Sequence, residues 1–142
     1  MANAKSEALI RNIIETRAKA VRAGDVDAMM ADVADDVVMF DVVDPLRREG
    51  VAAARAAKWV ATYDGPISWE NRDVHVAADG DVAFSHALTR VTGKLKTAAE
   101  VDMWFRTTLG LRRIAGRWLI THDHGSVPFN PENGKALLDL KP

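Results

Sequence analysis

The chain has 142 residues, no cysteine, and a formal net charge of -1 from 19 Lys and Arg against 20 Asp and Glu. That length suits one domain with one core, burying about two-thirds of the surface its unfolded form exposes. The balanced charge, with no basic run beside the aromatic residues, excludes an electrostatic nucleic-acid binder, and the lack of thiols excludes disulfides and thiolate metal sites.

Lys5, Glu7, Arg11 and Glu15 put too many charges in the first segment for a signal peptide, and no run approaches the ~20 apolar residues of a membrane span. A cytoplasmic protein without membrane contact is expected. From Ala4 to Ala23, Leu9, Ile10, Ile13, Ile14 and Val21 recur at helical spacing, and Gly24 supplies a stop. Asp25 is a good N-cap for a short second helix containing Met29, Met30 and Val33. Val37 to Phe40 then form a β-branched and apolar strand that ends before Asp44-Pro45.

After Gly50 an alanine-rich stretch through Tyr63 predicts a third helix, closed by Gly65-Pro66. Four strands follow at residues 67–76, 82–91, 101–111 and 117–127, with tight turns at Asp79-Gly80 and Ala115-Gly116. Asn130-Pro131 could start a short terminal helix in a C-terminal tail, 130–142. Helices segregated from an antiparallel meander specify an α+β fold, and no repeat or linker divides residues 1–142.

Both alternation classes of the late strands are partly apolar: Met103, Phe105, Leu109 and Leu111 on one, Trp104, Trp118 and Ile120 on the other. A sheet with one covered face would alternate cleanly with polar residues. A symmetric partner subunit is the economical cover, giving a homodimer through the sheet.

The order of elements, the Gly24-Asp25 break, the Ala34-Asp35-Asp36 strand entry and the G-R-W-x-x-x-H-x-H-x-S pattern from Gly116 to Ser126 together resemble a known family. The chain resembles the SnoaL-like, ketosteroid-isomerase-like group of the nuclear transport factor 2 superfamily over nearly its whole length. The resemblance implies a cone-shaped, strongly curved antiparallel sheet around the helices, an apolar pocket and a dimer through sheets. It also implies that Asp41 falls where ketosteroid isomerases keep a proton-shuttling aspartate. The isomerases' enolate-stabilising tyrosine and protonated acid correspond to about Arg17 and Thr108, so true steroid isomerisation is not expected.

Asp41 is the candidate catalytic base, since a carboxylate in an apolar pocket can accept and return a proton; the alternative is a strand-ending residue bonded to its own loop. Arg17 lies on the apolar stripe of its helix, either snorkelling or paired with a buried anion such as Asp41 or an anionic ligand. His122 and His124 stand on one strand face with Cβ atoms ~7 Å apart. One metal would need further ligands from His75, His86 or a carboxylate, so no metal and no cofactor are expected. His122 is the candidate partner acid, and His124 a ligand contact or interface residue. If the inward face is instead Leu119, Thr121 and Asp123, then Asp123 enters the pocket and the histidines point at a partner.

His86 and Arg106 are lone polar groups on otherwise apolar strand faces, and Trp59 and Trp104 could wall a cavity around them. The reading that follows is a cofactor-free proton-transfer enzyme acting on a small organic molecule by isomerisation, hydration, dehydration or cyclisation. The alternative is a non-catalytic ligand-binding or oligomerisation module resembling a kinase association domain, whose last strand also carries an H-x-H pattern.

Overall fold

The structure, a computed structural model, describes residues 2–50 and 52–142. Helical periodicity yields α1, Ala2–Ala23, which buries Ile10, Ile13, Ile14, Ala18 and Val21 along one stripe. Its end is a Schellman turn: Gly24 takes φ +66°, its N–H donates to Val21 O, and the Asp25 N–H donates to Ala20 O. Asp25 then caps α2, Val26–Met30, by accepting the Ala28 N–H at 3.1 Å. One glycine and one aspartate thus turn the chain between two helices. The second helix is shorter than expected, because Val33 already opens β1, Val33–Phe40.

A two-residue strand β2, Arg48–Glu49, precedes α3, Ala52–Ala61. The long strands are β3 (Ser68–Asp79), β4 (Val82–Lys94), β5 (Glu100–Ile114) and β6 (Arg117–Ser126). Ala115 and Gly116 both adopt positive φ, the backbone of a type I′ turn whose twist matches the β5–β6 hairpin. The six strands form a curved, open sheet in the order β2-β1-β6-β5-β4-β3 around the helices. Every pairing is antiparallel except β1 with β6. The tail holds a turn and a single bridge between Phe129 and Ala136 in place of the expected terminal helix. Asn130 spends its side chain on the Glu132 N–H, and its own N–H reaches Lys135 O, which folds the segment back.

Two apolar clusters occupy the inner face of the sheet. One joins Ile10, Ile13 and Ile14 of α1 to Val37, Leu109, Leu111, Trp118 and Ile120. The other gathers Val21, Met29, Tyr63, Ile67, Val91 and Phe105. Trp118 and Ile120 therefore share a face with Leu109 and Leu111, which corrects the reading that set them apart. The two-residue turn dictates this, since it pairs Arg113 with Trp118 and Leu111 with Ile120. A bulge follows: Gly110 pairs with His122 while Leu111 pairs with Ile120, leaving Thr121 as the extra residue on β6. One extra residue reverses the parity of everything after it.

Candidate functional site

A cavity of about 350 Å³ opens on the inner face, lined by residues of both clusters. That volume lies in the range of small-molecule sites. One wall is a run of edge-to-face aromatic contacts: Tyr63 on Trp59, Trp59 on Trp69, and Trp69 on Phe105, with centroids 5.3, 5.9 and 5.6 Å apart. Met29, Met30, Met39 and Met103 add polarisable, adaptable surface. Burial holds the Tyr63 phenol above its ordinary value of 10.0, against the smaller opposing effect of its contact with Trp59.

The polar groups come from four directions. Helix α1 presents Arg17 two turns beyond Ile10 on its apolar stripe, and the guanidinium Nη2 donates to Asp123 Oδ2 at 3.3 Å. Only about a fifth of either side chain is exposed, so the pair is largely withdrawn from water. Asp123 reaches the cavity because the Thr121 bulge turns it inward, opposite Leu109. The inward-Asp123 alternative thus holds for the end of β6, while the start of the strand keeps the opposite parity.

Asp41 continues the inward alternation of Val37 and Met39 one residue past the end of β1. Its Oδ1 accepts the Val42 N–H at 2.7 Å, and its Oδ2 lies 3.7 Å from Arg48 Nη1. The carboxylate therefore both holds its loop and faces the cavity, so the two alternatives for it coexist. Its guanidinium neighbour is Arg48 and not Arg17. On the sheet floor, the fully buried Thr89 hydroxyl donates to Asn71 Oδ1 at 2.9 Å and shares a 2.7 Å bond with Thr107. That link fixes the Asn71 and Thr107 side chains at the cavity surface.

Of the residues expected to meet in one pocket, Arg17, Asp41 and Trp59 line this cavity. His86, Trp104, Arg106, His122 and His124 do not. Cross-strand registers put Phe40, His124, Thr108, His86 and His75 in one row across five strands, and of these only Phe40, near the end of β1, also borders the cavity. The rings of His75 and His86 stack at 4.9 Å there, and Phe40 meets His122 and His124 edge-on. His122 Nδ1 is 2.8 Å from Val38 O, so that nitrogen carries the hydrogen and ties β6 to β1. Arg106 donates to Ser126 Oγ, and Arg72 covers the ring of Trp104 at 4.7 Å. The expected alliance of Asp41 with His122 or His86 is corrected by this parity. Among the described residues no group of three His, Asp or Glu side chains could hold an ion.

Arg48, Arg55, Asn71, Ser85, Thr107 and Asp123 complete the polar lining. Arg55 had a sequence signal: it precedes Trp59 by four residues, which puts both on one helix face. Arg48 had none, because a two-residue strand leaves no periodicity.

A family model described as a SnoaL-like domain matches residues 10–130. The chain belongs to that family. Its solved relatives include an NTF2-like protein of unknown function from Pseudomonas putida KT2440, 35% identical over 98% of both chains with a TM-score of 0.88. A ketosteroid isomerase-like protein from Erwinia carotovora atroseptica is 23% identical over 84% of this chain and 94% of its own, TM-score 0.68. The association domain of C. elegans CaMKII is 14% identical over 88% and 98%, TM-score 0.67. The last two show likeness of fold alone. No curated protein matches this SnoaL-like chain.

Proposed function

We propose that this SnoaL-like chain is a small-molecule enzyme in which Asp41 moves a proton between two atoms of a substrate held in the inner cavity. The observation that carries the reading is a carboxylate at the surface of a mostly apolar cavity, backed by guanidinium groups. Asp41 would take a proton from a carbon next to a carbonyl, and the electron pair left behind would move onto the carbonyl oxygen. Arg48 stands next to Asp41 and would balance the negative charge that develops. In a β,γ-unsaturated substrate, returning the proton to the far carbon of the dienolate completes an isomerisation. In a β-hydroxy substrate, passing it to the hydroxyl, which leaves as water, completes a dehydration. Both need only side chains of this chain.

The test is deuterium incorporation, followed by NMR, into a panel of aryl ketones and aryl β-hydroxy ketones in D2O. Enzyme-dependent exchange should fall about 10²–10⁴-fold in Asp41→Asn. Exchange as fast as wild type with every accepted compound would remove Asp41 from the mechanism.

Pairing of two copies through the sheet belongs to the same proposal. Its support is the outer face, where Phe84 and Val82 are about half exposed at the His75 and His86 end of the histidine row. Sedimentation equilibrium checks it: wild type should run as a dimer, and Phe84→Glu should weaken that dimer.

A further inference from the structure

The cavity lining contains three arginines and two aspartates, which leaves one surplus cation. Arg17 is paired with Asp123 and Arg48 stands beside Asp41. Arg55 is different. Among the described residues it forms no ion pair, and its one polar contact is Nη1 to Met39 Sδ at 3.3 Å. A thioether is a weak acceptor, so a half-buried guanidinium with five donors is left with most of them free. Water at a cavity surface can solvate such a group, but a planar carboxylate matches its fork with two parallel bonds.

The position fits the same occupant. Arg55 and Trp59 share one face of α3, and Trp59 begins the aromatic wall through Trp69 to Phe105. Met39, which Arg55 touches, lies two residues before Asp41 on the same inward alternation. Cation, aromatic wall and carboxylate base therefore converge on one space.

We infer that the cavity binds a flat, aromatic or similarly apolar carboxylate, whose anionic end pairs with Arg55 while its ring lies along Trp59 and Trp69. This rests on the reading of the cavity as a small-molecule site, and it names the class of molecule. A carboxylate there compensates the surplus charge, and a neutral analogue leaves Arg55 as it is.

The test is calorimetric titration with 2-naphthoate and with 2-naphthamide, which share shape and differ in charge. Wild type should prefer the carboxylate by about tenfold or more. Arg55→Gln should cut that preference below about threefold with little change for the amide, and Arg55→Lys, which keeps charge but loses the fork, should fall between them. Thermal melts of each variant check that it is folded. Equal wild-type affinity for the two probes overturns the inference and leaves the small-molecule cavity standing. A preference that survives Arg55→Gln, or that Arg48→Gln removes instead, overturns the assignment to Arg55. Binding of neither probe at millimolar concentration overturns the inference together with the reading of the cavity.

Discussion

The two faces of this sheet share the same strands and hydrogen bonds but solve opposite problems. The inner face buries Leu109, Leu111, Trp118 and Ile120 and then yields to a polar-rimmed cavity at its other end. The outer face carries histidines, arginines and isolated rings, held by contacts such as Arg72 over Trp104 and the Arg90 to Asp102 fork at 2.9 and 3.0 Å. That fork raises the Arg90 pKa and lowers that of Asp102, chiefly through the hydrogen bonds between them. The stability of a single copy should therefore reside on the inner face and be nearly indifferent to the outer one.

Substitutions across the sheet sharpen or break that contrast. The largest expected effect is Ile120→Ala, which empties a fully buried position of the main cluster and should cost about 2–5 kcal/mol in denaturant unfolding. An effect below about 1 kcal/mol would mean that the inner face is not the stabilising one. Arg17→Met should come next, at about 1–3 kcal/mol, because it leaves the Asp123 carboxylate largely withdrawn from water without its partner. Adding Asp123→Leu should restore most of that loss in a double-mutant cycle, and no recovery would argue against coupling between the two residues. His86→Ala, on the exposed outer row, should shift the stability of a single copy by no more than about 0.5 kcal/mol, measured the same way at a protein concentration low enough to keep copies apart. A cost near that of Ile120→Ala would break the comparison.

The fold was readable where signals were local. Ile10, Ile13 and Ile14 on α1, the Gly24-Asp25 break and the Ala115-Gly116 turn each carry their own geometry, so the α+β order and the meander followed from them. The parallel pairing of β1 with β6 was not readable, since it joins residues about eighty positions apart and leaves no periodic trace. Arg17 was legible as a cavity residue because it interrupts the apolar stripe of α1, Asp41 because the family resemblance puts an aspartate there, and Trp59 as a bulky ring able to wall a pocket. The facing of His122 and His124 was not legible, because unbroken alternation allows either parity and the register shift between Gly110 and Leu111 decides it. Trp118 and Ile120 were assigned to the wrong face for a different reason: the Ala115-Gly116 turn pairs odd residues of β5 with even residues of β6, and that parity was misread. A bulge changes no composition, so only the register reveals it.

Strand β6 is read in two frames, and Thr121 is the point where the frame changes. Before it, even-numbered residues face the core; after it, odd-numbered ones do, which is how a single ten-residue segment supplies both Ile120 to the interior and Asp123 to the cavity. Which side chains of the segment reach the cavity is accordingly set by its register and not by its composition. Were Thr121 paired opposite Gly110 in an unbroken ladder, Asp123 would turn outward and His122 inward, exchanging the chemistry of the cavity without altering any side chain.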